Sequence, residues 1–188
     1  MADPGSRARR RERGRLEALV GVDLRPVAEG VLSRLVAAAL EGASADEVTP
    51  PVTPGPGWSP ERVEWLRAFH RDRRAGLDGP AGEVTWAVVE FAPGEDQDTG
   101  RVLGSVRLRR TGEPGGFETG IWLVRDARGR GVGTTAVRLL LERAREAGAA
   151  TVRADTTTGN AGAVALLRAL GFSTTVQGER VRAELTLG

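Results

Sequence analysis

The sequence predicts a single α/β (α+β) domain: a mixed, mostly antiparallel sheet of about seven strands with about four helices on its faces. Two observations predict it. Segments of two-residue and of helical hydrophobic period follow one another in the order β-α-α-β-β-β-α-β-α-β-β. The three consecutive strands in the middle are joined by short Gly-, Pro- and Asp-containing links, as in an antiparallel meander.

Residues 1–20 read as an arginine-rich tail, and 21–188 as the domain. Val22-Asp23-Leu24-Arg25-Pro26 is a short first strand. A helix over 27–41 follows, with Val31, Leu35 and Ala38 on one face. The connector from Thr49 through Pro50, Pro51, Pro54 and Pro56 to Gly57 cannot be helical. Ser59 is a natural N-cap with Pro60 at the first helical position and Glu61 in the first turn, and predicts a helix over 59–74. The meander strands fall at 84–91, 102–110 and 117–124. In the second, Val102, Gly104, Val106 and Leu108 alternate with Arg101, Ser105, Arg107 and Arg109. Beyond a glycine-rich loop come a helix over 132–147, a strand over 151–156 and a helix over 160–170 stopped by Gly171. Strands at 172–176 and 181–187 complete the sheet.

Composition narrows the function. The chain has no cysteine, so disulfides, thiolate metal sites and a cysteine nucleophile are excluded, and with His70 the only histidine no metal is expected. No apolar run of about eighteen residues and no signal-peptide pattern is present, which points to a cytoplasmic protein without a membrane partner. The pI near 10.6 is not a nucleic-acid signature. All 27 basic residues are arginine, so little titrates above histidine and a net charge of +2 suffices to raise the pI. The cluster Arg7, Arg9, Arg10, Arg11, Arg13 and Arg15 reads as a solvated tail, a nucleic-acid contact being the lesser reading.

The chemistry lies in Arg128-Gly129-Arg130-Gly131-Val132-Gly133-Thr134, between a strand and a helix. Glycines let the backbone curl around phosphates, and the free amides of a helix N-terminus point at them. A nucleotide P-loop needs a lysine, which the chain lacks. The dinucleotide pattern GxGxxG fails at Thr134 from one start and at Ala136 from the other. The segment does match R/Q-x-x-G-x-G/A, as Arg128, Gly131 and Gly133, and Asn160, Ala163, Leu166, Leu167, Gly171 and Phe172 match N-x-x-A-x-x-L-Y-x-x-x-G-F in all but the tyrosine. In both blocks and in element order the chain resembles the GNAT superfamily of N-acetyltransferases, most closely the branch with ribosomal-protein N-terminal acetyltransferases.

That resemblance implies a splayed central strand pair holding acetyl-CoA. The backbone of Trp122, Leu123 and Val124 would bind the pantetheine arm, and Asn160 would contact it. Arg128, Gly129, Arg130, Gly131, Val132, Gly133 and Thr134 would hold the pyrophosphate. The implied reaction is direct acetyl transfer to a primary amine of a small molecule or a peptide N-terminus, with a non-catalytic CoA-binding sensor as the alternative and a homodimer as the common assembly. Glu118 is the first candidate for general base, with partial burial expected to raise its pKa, or else it is a surface hairpin glutamate. Asp155 is the fallback, and His70 a further candidate more simply read as packing or surface. The family's tyrosine acid is replaced by Leu167, with Ser173, Thr157 and Thr158 as possible substitutes. Trp58 is expected to face the acceptor, while Trp65, Trp86 and Trp122 form core or pocket wall. Glu95, Asp96 and Asp98 form an acidic turn that could also attract a cationic amine.

Overall fold

The structure is a computed structural model, and it describes residues 21–92 and 99–188. Both the tail and the acidic turn over 94–98 lie outside the described residues.

Seven strands form one sheet: β1 (Val22–Pro26), β2 (Glu83–Glu90), β3 (Arg101–Arg110), β4 (Gly116–Leu123), β5 (Thr151–Thr157), β6 (Ser173–Gln177) and β7 (Arg180–Thr186). The order across it is β1-β2-β3-β4-β5-β7-β6. Every neighbouring pair is antiparallel except β4 and β5. The helices are α1 (Glu29–Gly42), α2 (Ala45–Val48), α3 (Pro60–Asp72), α4 (Val132–Glu146) and α5 (Ala161–Ala169). The expected elements and the observed ones differ by two residues at most at either end, helix ends being the usual place for that, and α2 is an addition to them.

Two cores form, one on each face. Val137, Leu140, Leu141 and Ala144 of α4 pack with Leu24, Val88, Val106, Leu108 and Phe117. Leu32, Leu35, Val36 and Ala39 of α1 pack on the other face with Leu66, Ala87, Val89 and Val102. The simple alternation expected along β3 breaks at this point. A register irregularity between Val88 and Val89 puts Val102 in the α1 core and Leu103 in the α4 core, beside Val106 and Leu108. One extra residue in one strand reverses the side-chain phase beyond it.

Short α2 has a full capping box, Ser44 with Glu47. It is tied to α3 by Arg62, which is 1% exposed and donates from Nη1 to Asp46 at 2.6 Å. On α3, Ser59 accepts from the Arg62 amide as the expected N-cap. Among the described residues no helix is long and apolar enough to cross a membrane, and no group of three or more His, Asp or Glu is placed to hold a metal.

Candidate active site

β4 and β5 pair over only three positions: Gly116 with Thr151, Phe117 with Val152, and Glu118 with Arg153. Beyond Glu118 both strands continue, but apart, and β4 reaches Leu123 while keeping its pairing to β3. Which backbone groups face the gap follows from the antiparallel alternation. The Val124 N–H donates to the Leu103 carbonyl at 2.8 Å, and the Thr111 N–H to the Gly116 carbonyl at 3.0 Å. The even-numbered positions, Glu118, Gly120 and Trp122, are therefore turned toward β3. Ile121 and Leu123 present their N–H groups to the gap. The three backbone positions expected to act together, Trp122, Leu123 and Val124, thus face different ways. Trp122 and Val124 bond β3, while Leu123 and Ile121 face the gap; Ile121 was not singled out from sequence, and its signal was the strand's two-residue period.

The glycine loop opens α4. Gly129 and Gly131 have φ of 72° and 83°, the left-handed region that disfavours side chains, and a Cβ at either would meet nothing within 4 Å, so the turn is open. The first backbone bond into the helix is from the Thr135 N–H to the Gly131 carbonyl, which leaves the amides of Val132, Gly133 and Thr134 without intrahelical acceptors. No acidic residue occupies that first turn. At Gly133 a Cβ would lie 2.8 Å from the Leu166 methyl, so glycine there lets α5 approach. Together the loop and the gap form a surface with fixed donors and no acidic side chain in the first turn of the helix, which suits a pyrophosphate followed by an extended amide-bearing arm.

The flanking arginines are less available than their positions suggested. Arg128 donates from both Nη atoms to Glu47 at 2.9 Å, and from Nε and Nη2 to the Leu123 carbonyl at 3.0 and 2.8 Å. Its role here is to tie α2 to the end of β4. Arg130 donates to Glu90 at 2.5 Å but is nearly half exposed. At Asn160 the side-chain oxygen caps α5, accepting from the Ala163 amide at 3.1 Å.

A cavity of about 480 Å³ opens beside the same strand, lined by Gly120, Ile121 and Trp122 from β4 together with Trp65, Phe69, His70 and Arg73, and with Glu83, Arg107 and Arg109 from β2 and β3. Its floor carries a chain of ion pairs that runs on to Glu118, which adjoins the lining without being part of it. Glu83, only 3% exposed, accepts from Arg73 at 2.5 Å and from Arg107 at 3.0 Å. Glu118 accepts from Arg107 and Arg109, each at 2.5 Å.

Those contacts overturn the expected upward shift at Glu118. Desolvation alone does raise its pKa, but hydrogen bonds and charge from Arg109 and Arg107 together outweigh it, and the carboxyl is held below its ordinary value. Asp155, across the gap on β5, is ion-paired with Arg180 at 2.8 Å and Arg182 at 3.8 Å. His70 is buried, with Nδ1 2.9 Å from the Thr85 hydroxyl. Leu167 is core, as its apolar side chain requires, while Ser173, Thr157 and Thr158 are exposed. Trp58 does not line the cavity; its indole N–H donates to the Ala43 carbonyl at 3.1 Å, and the aromatic wall consists of Trp65, Phe69 and Trp122. Trp86 is core.

The family model described as Acetyltransferase (GNAT) domain matches residues 22–173. No curated protein matches the chain in sequence. Among solved structures, the chain is similar to RimL, a ribosomal L7/L12 α-N-protein acetyltransferase in complex with coenzyme A, at 13% identity over 89% of this chain and 95% of that one, with a TM-score of 0.64. Ribosomal-protein-alanine N-acetyltransferase from Brucella melitensis is 22% identical over 88% and 99%, with a TM-score of 0.58. A chimera of the spermidine N-acetyltransferase SpeG from Vibrio cholerae with hSSAT is 16% identical over 88% and 95%, with a TM-score of 0.63. At these identities the structures speak to the fold; the match over most of the chain's length speaks to descent, and the chain belongs to the GNAT acetyltransferase family.

Proposed function

We propose that the chain transfers an acetyl group from acetyl-CoA directly to a primary amine. One observation carries the reading: Gly120, Ile121 and Trp122 both line the cavity and belong to the stretch of β4 that β5 has left. A donor laid along that stretch and an acceptor in the cavity would meet at the same three residues.

In this reading the amides of Val132, Gly133 and Thr134 hold the pyrophosphate, and Ile121 and Leu123 bond the pantetheine arm. The Ile121 N–H is then a fixed donor for the thioester oxygen as negative charge develops on it. The amine nitrogen attacks the thioester carbon, the carbon–sulfur bond breaks and the amine proton must leave. With a thiol pKa near 8.5, the thiolate departs without a residue at position 167 to protonate it. Glu118 remains our candidate to accept the amine's proton, directly or through water. Its arginine neighbours make it a weak base, but nearby guanidinium charge also lowers the pKa of a bound ammonium, so the proton moves between two groups shifted in the same direction.

Acetyl-CoA should raise the melting temperature, and incubation with a panel of amines and peptides should release free thiol and add acetyl mass to one of them. Glu118→Gln should lower kcat by roughly a hundredfold to ten-thousandfold with acetyl-CoA affinity retained; full turnover would remove Glu118 from the mechanism. The buried Leu167, in place of an acid, is the observation that favours a CoA-binding sensor instead. That reading requires the thermal shift without turnover.

A further inference from the structure

Among the described residues, the charges in and next to the cavity do not balance. Arg73, Glu83, Arg107, Glu118 and Arg109 form one continuous chain of ion pairs, three cations sharing two carboxylates. The remaining acid in the wall, Glu47, is matched by Arg128. Strand register holds the chain together: Glu83 lies opposite Arg109 on β3, and Arg109 opposite Glu118 on β4. Alternating charges on neighbouring strands attract across the sheet, so the surplus cation is built into the floor and is not a loose surface side chain.

Donors are left over where the surplus sits. Arg109 donates to Glu118 from one Nη atom, and its Nε and other Nη have no acceptor among the described residues. Arg73 donates from Nε and one Nη, which leaves its second Nη in the same state. Arg109 is nearly half exposed, so a ligand can reach it. Arg107 lies against Gly120: its Nε is 2.8 Å from where a Cβ would stand at that glycine. The cationic floor therefore adjoins the unpaired stretch of β4. An apolar wall adjoins this floor, with Trp65 stacked on Phe69 at 4.9 Å between ring centres, and Trp122 lines the cavity from β4.

On the reading of this cavity as the acceptor site, we infer that the acceptor is an amine carrying a carboxylate on the adjacent carbon and an apolar body, that is, a free α-amino acid with an apolar side chain. The carboxylate accepts charge-assisted hydrogen bonds from the donors that Arg109 has left over. The amino nitrogen, one carbon away, is then held close to Gly120 and Ile121, and the side chain packs on the tryptophans. A peptide N-terminus offers a neutral amide where the carboxylate belongs, and leaves the cation unmatched. A polyamine brings a second positive charge to a floor that already has one too many.

The test compares L-phenylalanine, L-leucine and L-methionine with their amides, with phenethylamine and with spermidine, using the full chain. Thermal shift with acetyl-CoA alone is measured first, then the shift from each acceptor in the presence of CoA, then kcat/KM. At least one free amino acid should bind and be acetylated with kcat/KM tenfold or more above its amide and above the amines. Arg109→Gln should erase that preference, with acetyl-CoA binding unchanged, and Arg109→Lys should restore part of it. Equal or better turnover of the amides, phenethylamine or spermidine overturns the inference, as does acetyl-CoA binding with no response to any of the three acids. Failure to bind acetyl-CoA defeats the acetyltransferase reading itself, a distinguishable result.

Discussion

His70 is 1% exposed, bonded through Nδ1 to Thr85 and without a partner at Nε2. Burial, reinforced by the charges of Arg73 and Arg74, pushes its pKa down from 6.5 to about 4. Between those values the unfolded chain binds a proton that the folded chain refuses, so stability rises with pH across that window. Acidification from neutral pH should therefore remove stability down to about pH 4 and take no more from this residue below it. The interval corresponds to about 3 kcal/mol. Urea titrations at intervals through this range should show the slope, and His70→Gln should flatten it; an unchanged slope would assign it elsewhere. Glu118 teaches a related lesson. Its place on the strand was readable from sequence, and so was its face. The direction of its shift was not, because that depends on Arg107 and Arg109 being its cross-strand neighbours, and register is a tertiary fact.

At the scale of elements, close packing sorts the glycines into those that hold something in place and those that do not. Gly42 ends α1 against the last turn of the site strand: a Cβ there would stand 2.7 Å from Val124 Cβ and 2.8 Å from its Cγ1, atoms too near the backbone to swing away. Gly42→Ala should cost about 1–3 kcal/mol through overpacking. Gly30 is in the first turns of the same helix with nothing within 4 Å, and Gly30→Ala should instead stabilise by ~0.5–1 kcal/mol, since alanine gives up less backbone entropy on entering a helix. Equilibrium denaturation of the two variants side by side checks both signs. Most elements were legible because their periods are long and their caps explicit, as at Ser59-Pro60 and at Gly171. The Ser44 to Glu47 capping box carried an equally readable signal, yet α2 is four residues long and has no period to announce it. The bulge at Leu103 was hidden for another reason. A run of valine, leucine and glycine suits either face of a strand, so only the second sheet neighbour shows where the phase reverses.

The molecule as a whole is two sheet halves joined by a narrow seam. The sheet joins β1 to β4 with β5 to β7 through three paired positions; the α1 core belongs to the first half, while the α4 core runs across both, taking in Val152, Ala154 and Ala183. A ligand in the gap replaces the hydrogen bonds that a continuous sheet would have made, and its binding free energy adds to the stability of the assembly. The alternation along β4 makes that replacement observable residue by residue. Amide exchange of Ile121 and Leu123 should be fast in the free protein, since neither N–H faces a strand, and should slow at least tenfold when acetyl-CoA is bound. Trp122 and Val124, one position away in each case, should be protected throughout by β3, the latter through its bond to Leu103. Hydrogen-exchange NMR resolves these four amides individually. Equal protection of all four in the free protein would mean that the gap is closed in solution, and a slowing confined to Trp122 and Val124 would reverse the assigned parity. The two-residue rhythm makes the experiment sharp, because global stabilisation protects neighbours alike and only a ligand strung along the edge protects every second amide.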